Sequence, residues 1–349
     1  MAPPVTLPTR LIGDTPVSAM GFGAMGFSAF YIPKDKTDEG RLKDTSDVYG
    51  DNEDLLGKWF ERTGKRDDIF LATKFGLAHG DPSRKVNCDP SYVRQAFENS
   101  CRRLKTDHID LWYVHRADPT VPIELTIKAM AELVKEGRVK YLGLSEVSAR
   151  TLRRAHAVHP IAALQSEYSP ITLDIEAEDE VHGVMKACRE LGVKVIAYSP
   201  LGRGFLTGQI KSRAELDPDD YRLLIPRFSE ENFPRVLQLA AGLKAIGEKH
   251  SVVIDEKHTV VVDGKEQPAT AGQVALAWVL AQGEDVIPIP GTTKEKYLKE
   301  NLAALQLHLS DAELAQVRRV AEEAQASVGD RVDSSFMPTL FAETPELEA

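Results

Sequence analysis

Four polar side chains suited to proton transfer lie near the ends of apolar, strand-like runs. Asp44 and Tyr49 share one short stretch, and Lys74 and His115 each end an apolar run. In a barrel of alternating strands and helices, the carboxyl ends of the strands gather the catalytic groups. We therefore expect these four side chains to meet at one end of such a barrel.

Their chemistry favours the reduction of a carbonyl group. A tyrosine phenol has an ordinary pKa near 10 and is a poor acid at neutral pH, but a neighbouring lysine ammonium favours the phenolate and eases proton donation. Tyr49 is the predicted donor, with Lys74 beside it and Asp44 keeping the lysine charged and oriented. His115 is expected to orient and polarise the carbonyl oxygen as hydride reaches the carbon.

These motifs, in this order, resemble the aldo-keto reductase superfamily. The stretch 44–50 is similar to that family's Asp-Thr-Ala-x-x-Tyr-Gly, 72–74 to its third-strand lysine motif, and 111–115 to its fourth-strand histidine motif. Further matches are Gly-Leu-Ser-Glu at 143–146 and Gln-Ser-Glu-Tyr-Ser at 165–169, which are typical of its soluble fungal, bacterial and plant reductases.

The resemblance extends from about Arg10 to Gln325 and implies both a fold and an activity. The fold is a (β/α)8 TIM barrel of the α/β class, and residues 1–349 are expected to form one domain. The activity is that of an NADP-dependent aldo-keto reductase, which reduces aldehydes or ketones to alcohols with NADPH. The expected partner is a small-molecule carbonyl substrate, and the chain is expected to be a monomer or a weak homo-oligomer.

Composition argues against several other functions. A net charge of -10 is unsuited to a general nucleic-acid binder. Cys88, Cys101 and Cys188 are widely spaced, which fits a reducing compartment and offers no metal-binding pattern. The first residues lack the features of a signal peptide, and no apolar run approaches the roughly 20 residues of a membrane span. We therefore expect a cytoplasmic protein without a metal site.

Hydrophobic periodicity predicts repeated strand–helix units after an initial hairpin at 10–18 and a first barrel strand at 19–25. A capping box at 310–313 predicts the start of a last helix. The other predicted helices are 52–62, 90–104, 123–136, 149–157, 180–191, 236–250, 271–282 and one that begins after Lys294; the predicted strands are 69–75, 109–114, 139–144, 162–165, 193–198 and 286–289.

The alternation breaks between Gly26 and Lys43, where no amphipathic helix precedes an apolar strand. The resemblance implies a first helix and the apolar half of a second strand here, so both are predicted to be shortened or missing. A spliced-out segment, an error in the gene sequence and a decayed paralogue all fit this pattern. A barrel without this helix is expected to be marginally stable and to have low or no activity, because several apolar side chains lose their burial.

Two further segments depart from the barrel pattern. Residues 251–268 contain two β-rich runs with an Asp-Gly turn, which predict either an inserted hairpin or an exposed disordered insert. The C-terminal tail, residues 326–349, has no periodicity and is expected either to be mobile or to lie across the barrel mouth.

A Rossmann-type nucleotide site is not expected, because no Gly-x-Gly-x-x-Gly follows a strand. Loops after strands seven and eight are the usual phosphate sites of such barrels, which favours a binding role for the loop 199–204 over a plain turn. The resemblance implies that Ser145 and Gln165 hold the nicotinamide carboxamide, that Tyr198 stacks on its ring, that Ser199, Pro200, Leu201, Gly202, Arg203 and Gly204 line the pyrophosphate, and that Gly291, Thr292, Thr293, Lys294 and Asn301 hold the adenosine end.

Three residues of the expected cofactor site need comment. Glu146 stands where many relatives have asparagine, although this branch often has glutamate. Tyr297 stands where arginine is common, which weakens the preference for NADPH over NADH, whereas Lys294 at a helix start suits a phosphate and favours NADPH.

Two other functions stay open at this point. One is a non-catalytic nicotinamide-binding or regulatory paralogue with a damaged barrel. The other is a phosphate-binding barrel lyase or isomerase, because the fold alone does not define the function. The spacing of Asp44 and Tyr49 argues against this second alternative.

Overall fold

The computed structural model describes residues 7–28, 45–77, 86–254 and 265–348. In this part of the chain, parallel strands alternate with helices from residue 72 onward. The strands are β1 (Thr9–Ile12), β2 (Thr15–Ser18), β3 (Ala72–Phe75), β4 (Ile109–Val114), β5 (Val139–Ser145), β6 (Ile161–Glu167), β7 (Lys194–Tyr198), β8 (Ser251–Ile254), β9 (Lys265–Pro268) and β10 (Val286–Pro288).

The α-helices pack around the outside of the sheet, each against at least one other helix. The predicted helix at 180–191 begins later, at Val184, because the Asp179 carboxylate accepts hydrogen bonds from the backbone amides of Val181 and His182 and holds a turn there. The helices are α1 (Asn52–Thr63), α2 (Pro90–Leu104), α3 (Ile123–Lys135), α4 (Ala149–Val158), α5 (Val184–Leu191), α6 (Phe233–Gly247), α7 (Ala271–Leu280), α8 (Glu295–Ala303) and α9 (Asp311–Glu323).

Six strands form the central parallel sheet, in the order β10-β7-β6-β5-β4-β3. The register places Lys74 opposite Tyr113 and Ser145 opposite Gln165, so side chains near the carboxyl ends of adjacent strands lie at one end of the barrel. The main hydrophobic core lies between this sheet and the outer helices. A smaller apolar cluster, which includes Leu111 and Ile287, lines the barrel interior.

Irregular segments continue both edges of this sheet. On one side, the amide of Gly21 donates to the carbonyl of Pro288 at 2.9 Å. On the other side, the amide of Asp47 donates to the carbonyl of Lys74 at 3.1 Å. The segments around residues 21 and 47 therefore occupy the first and second strand positions of the barrel.

The prediction of a regular strand at 19–25 is wrong. This segment follows β10 so closely that a Cβ atom on Gly23 would lie 2.7 Å from the Ile289 carbonyl oxygen. Glycine-rich backbone weakens strand structure, and a short 3-10 helix begins at Met25 instead. Most of the predicted shortened first helix and second strand, at 29–44, lies outside the described residues.

An apolar cleft of about 770 Å³ opens into the barrel between the β1–β2 hairpin, β3 and the start of α8. Barrel-interior residues of three strands form its floor: Leu111, Tyr113, Ile196 and Ile287. The described lining of the cleft includes Gly21 and Phe22 at the first strand position and Phe70 and Ala72 at the third.

The predicted insert and tail both make defined contacts. At the two ends of the insert, β8 pairs antiparallel with β9, while 255–264 lie outside the described residues. The tail lies against the barrel mouth, where Ala342 forms a β-bridge with Val147. Across the described ranges, no helix is long and apolar enough to cross a membrane.

The cleft predicts that Ala72→Leu stabilises the protein. Ala72 lines the cleft, so the longer side chain fills empty space and buries apolar surface. We expect the melting temperature to rise by about 1–2 °C in a thermal unfolding scan.

Ala163→Leu is the matched control, because Ala163 belongs to the same interior cluster but is fully buried. The added volume has no space at that site, so the melting temperature should fall. Equal destabilisation by the two substitutions would show that the cleft is filled in solution.

Candidate active site

Tyr49, Lys74 and His115 meet at the carboxyl end of β3 and β4. His115 directly follows β4, and its amide donates to the carbonyl of Phe75 at 2.7 Å, which places it beside the strand that carries Lys74. Tyr49 lies in a tight turn before α1, in which its amide donates to the carbonyl of Ser46 at 3.2 Å. The Tyr49 and His115 ring centres are 5.7 Å apart and nearly perpendicular.

The ammonium group of Lys74 is fully buried. Its Nζ donates a hydrogen bond to the carbonyl of Thr45 at 2.8 Å and lies 5.2 Å from the centre of the Tyr49 ring. A buried positive charge favours negative charge on nearby groups, which is the effect needed on the tyrosine oxygen. Asp44 lies outside the described residues, so its interaction with Lys74 stays a prediction.

His115 is a neutral imidazole at physiological pH. Burial, together with the positive charges of Arg116 and Lys74, lowers the pKa of His115 well below its ordinary value. A neutral imidazole can polarise a carbonyl through a hydrogen bond but carries no surplus proton to transfer. Of the two residues, Tyr49 is therefore the better candidate for the proton donor.

Ser46 and Asp47 extend this group in a way that sequence reasoning missed. The Ser46 hydroxyl lies 3.0 Å from His115 Nδ1 and donates a hydrogen bond to Asp47 Oδ1 at 3.1 Å. Burial and the negative charge of Glu53 raise the pKa of Asp47 to about 7. The available signal was a second acid inside the 44–50 motif, next to a serine at the motif's alanine position.

Ser145, Gln165 and Tyr198 come together at the carboxyl ends of β5, β6 and β7. The Ser145 hydroxyl accepts a hydrogen bond from Arg116 Nη1 at 3.2 Å. Gln165 Nε2 is buried, and among the described residues it has no hydrogen-bond partner. An unsatisfied buried amide is costly, so this site fits a ligand that brings a carbonyl oxygen, as a carboxamide does.

The loop Ser199–Gly204 has left-handed backbone at Ser199, Gly202, Arg203 and Gly204. The amides of Gly202 and Gly204 donate to carbonyl oxygens within the loop. The Arg203 guanidinium points inward and donates to Glu167 Oε2 at 3.0 Å. These two amides and this guanidinium therefore stabilise the loop itself, while Pro200 and Leu201 complete the bend.

The segment Gly291–Lys294 joins β10 to α8. A Cβ atom on Gly291 would lie 2.5 Å from the Gly23 carbonyl oxygen, so only glycine fits this close approach. The Thr292 hydroxyl accepts a hydrogen bond from the Lys294 amide at 3.1 Å, and Thr293 lies exposed between them.

Lys294 is exposed at the N-cap of α8, with its Nζ 5.5 Å from the centre of the Tyr297 ring. The Tyr297 hydroxyl donates to Gln209 Oε1 at 2.7 Å, and Asn301 is buried on the same helix. Lys294 thus presents an accessible positive charge at a helix N-terminus, a combination that suits an anion.

The tail contributes Arg331, which sequence reasoning also missed. Its buried guanidinium donates to both carboxylate oxygens of Glu146, at 3.0 and 2.7 Å. No local pattern around Arg331 identifies this contact. Within the described ranges, no three His, Cys, Asp or Glu side chains are arranged to hold a metal ion.

The α/β barrel has the architecture of the aldo-keto reductases, and tyrosine, lysine and histidine are grouped at the carboxyl ends of its strands. The sequence model of the aldo/keto reductase family matches residues 39–322. The chain belongs to this family, which is a family of oxidoreductases.

Several relatives are similar over nearly the whole chain. Aldo-keto reductase str7 of Strobilurus tenacellus is 51% identical, with 98% of this chain and 99% of the relative covered. Aldo-keto reductase yakc [NADP(+)] of Schizosaccharomyces pombe is 40% identical, with the same shares covered. The solved glycerol dehydrogenase of Gluconobacter oxydans is 25% identical with a TM-score of 0.73, covering 94% of this chain and 98% of that one.

The raised pKa of Asp47 predicts a pH-dependent effect of Asp47→Asn on stability. A carboxyl whose pKa is raised by folding contributes stability at low pH, and this contribution is lost as the pH rises through about 7. Asparagine does not ionise, so the melting temperature of the variant relative to wild type should increase between pH 5 and pH 8.

Asp54→Asn is the control for this measurement, because Asp54 is half-exposed and pairs with the same Arg103 that donates to the Asp47 carbonyl. Its melting-temperature difference from wild type should change little over the same range. If the melting-temperature difference between Asp47→Asn and wild type also stayed constant from pH 5 to pH 8, Asp47 would not be a buried carboxyl with a raised pKa.

Proposed function

We propose that this protein reduces aldehydes or ketones to alcohols with NADPH, and that Tyr49 donates the proton. The observation that carries this proposal is the fully buried Lys74 ammonium, 5.2 Å from the centre of the Tyr49 ring. A desolvated positive charge at this place stabilises the negative charge that develops on a tyrosine giving up its proton.

The residues that would hold the nicotinamide have chemistry that fits it. Gln165 Nε2 is left without a partner in the described part of the chain, and Ser145 pairs with Gln165 in register on the adjacent strand. When bound, NADPH supplies the hydride. Lys294 offers a positive charge to a 2′-phosphate, and the relative from Schizosaccharomyces pombe carries NADP(+) in its name.

Side chains of the protein polarise and protonate the carbonyl oxygen. His115 lies beside Tyr49, so both can reach one carbonyl oxygen, with the neutral imidazole polarising it and the phenol protonating it. As hydride adds to the carbonyl carbon, the oxygen gains the electron pair and takes the Tyr49 proton, leaving a phenolate beside Lys74. The low solvent exposure of all three side chains strengthens these electrostatic interactions.

Tyr49→Phe tests the proposal, because it keeps the ring and removes the only proton that the mechanism uses. We expect aldehyde-dependent NADPH oxidation to fall by at least about 100-fold. Quenching of intrinsic fluorescence by NADPH should give a Kd within about threefold of wild type, since the hydroxyl contributes to chemistry more than to cofactor binding.

Retained turnover in Tyr49→Phe would exclude Tyr49 as the donor. If the wild-type chain bound NADPH but turned over no aldehyde or ketone, the result would favour a regulatory nicotinamide-binding protein instead. If the wild-type protein bound neither NADPH nor NADH, both the reductase function and the regulatory nicotinamide-binding function would be excluded.

A further inference from the structure

The C-terminal segment 326–348, here called the strap, is fastened to the loop that follows β5. The amide of Ala342 donates to the Glu146 carbonyl at 2.8 Å, and the amide of Ser148 donates to the Ala342 carbonyl at 3.1 Å. Glu146 itself has left-handed backbone, with φ of 52°, which is uncommon for a residue with a side chain. The strap therefore stabilises an unfavourable backbone conformation directly after Ser145.

Arg331 inserts its side chain from the strap into the barrel mouth. The side chain is 4% exposed, and its guanidinium forms a two-pronged ion pair with the fully buried Glu146 carboxylate. The same group donates to the Tyr198 hydroxyl at 3.3 Å and lies 3.6 Å from Glu167. One strap residue thus contacts the ends of three consecutive strands.

These contacts lie next to the positions suited to the nicotinamide. Glu146 follows Ser145 in the chain, and its Oε1 accepts hydrogen bonds from the Ser166 hydroxyl at 3.1 Å and the Glu167 amide at 3.0 Å. Ser166 in turn follows Gln165. The Arg331–Glu146 pair therefore connects the backbone around Ser145 with that around Gln165.

The buried carboxylates of Glu146 and Glu167 make the contacts at the barrel mouth depend on the positive charge of Arg331. Burial opposes ionisation of Glu146, but the charge and hydrogen bonds of Arg331 hold its pKa at about 2. Glu167 is a second buried carboxylate, and Arg203 shares it with Arg331. Without Arg331, the Glu146 carboxylate would lose its two-pronged partner in a water-poor site, and the ends of β5 and β6 would have to rearrange to solvate it.

We propose that Arg331 is a positioning residue for the nicotinamide, which holds Ser145, Gln165 and Tyr198 in their binding arrangement through Glu146 and the Tyr198 hydroxyl. The inference rests on the proposed function. It makes the strap part of the cofactor site, so strap docking and cofactor binding favour each other.

Arg331→Gln tests this inference, because glutamine retains hydrogen-bonding capacity but removes the charge and the two-pronged geometry. We expect the NADPH Kd, measured by fluorescence quenching, to rise at least tenfold. The KM for NADPH should rise similarly, while the KM for the aldehyde changes less than threefold. Arg331→Lys restores the charge without the planar fork, so its NADPH Kd should lie between those of Arg331→Gln and wild type.

Arg150→Gln is the matched control. Arg150 forms a two-pronged ion pair with Glu343 of the strap, but this pair is half-exposed. We expect the control to keep its NADPH Kd within twofold of wild type. An equal loss in Arg150→Gln and Arg331→Gln would show that strap attachment matters in general and would overturn the specific role of Arg331.

The outcomes separate the inference from the proposed function. If wild type binds NADPH and folded Arg331→Gln binds it equally well, the inference alone fails. If wild type does not bind NADPH, both fail. If Arg331→Gln does not fold, Arg331→Lys decides, because an NADPH Kd equal to that of wild type overturns the inference and a several-fold increase without change in the aldehyde KM supports it.

Discussion

The buried ammonium of Lys74 is the constraint on which the rest of the site depends. An uncompensated charge in a protein interior costs several kcal/mol, so polar partners must be held against it. The Thr45 carbonyl is one such partner, and the amide of Thr45 donates to the Ala72 carbonyl on the strand that carries Lys74. This requirement brings the segment around residue 47 against β3, and Tyr49 is thereby held beside the lysine.

The apolar cleft and the group formed by Tyr49, Lys74 and His115 lie in different parts of the barrel. The cleft is lined by the β1–β2 hairpin, barrel-interior side chains and the start of α8, and Tyr49, Lys74 and His115 do not appear among its described lining residues. The alignment with the relative from Strobilurus tenacellus spans 359 positions, more than the 349 residues of this chain, so the relative contains residues without a counterpart here.

Sequence patterns predicted the features that depend on local and periodic information. The strand and helix order from Asn52 onward followed from hydrophobic spacing, and the Ser310–Glu313 capping box marks the start of α9 as expected. Lys74 lies near the end of β3 and His115 directly follows β4, as the apolar runs before them predicted, whereas Tyr49 was placed beside them from the short motif that it shares with Asp44. The predicted strand at 19–25 failed because its conformation is set by a close approach to the residues after β10, which no local pattern reports.

Contacts between distant parts of the chain could not be predicted from the sequence for the same reason. Arg331 is 185 residues from Glu146, in a tail whose sequence shows no periodicity, yet it forms a buried ion pair with Glu146 at the barrel mouth. The neutral state of His115 and the raised pKa of Asp47 likewise arise from burial and neighbouring charges that only the folded arrangement creates.

We infer that the Lys74 charge enables Tyr49 to give up its proton. Lys74→Met tests it most directly, because methionine keeps an unbranched side chain of similar reach and removes the charge. With NADPH binding checked by fluorescence quenching, we predict that the variant retains its affinity for the cofactor while kcat for aldehyde reduction falls by at least about 100-fold. A folded Lys74→Met protein with wild-type kcat would contradict the claim.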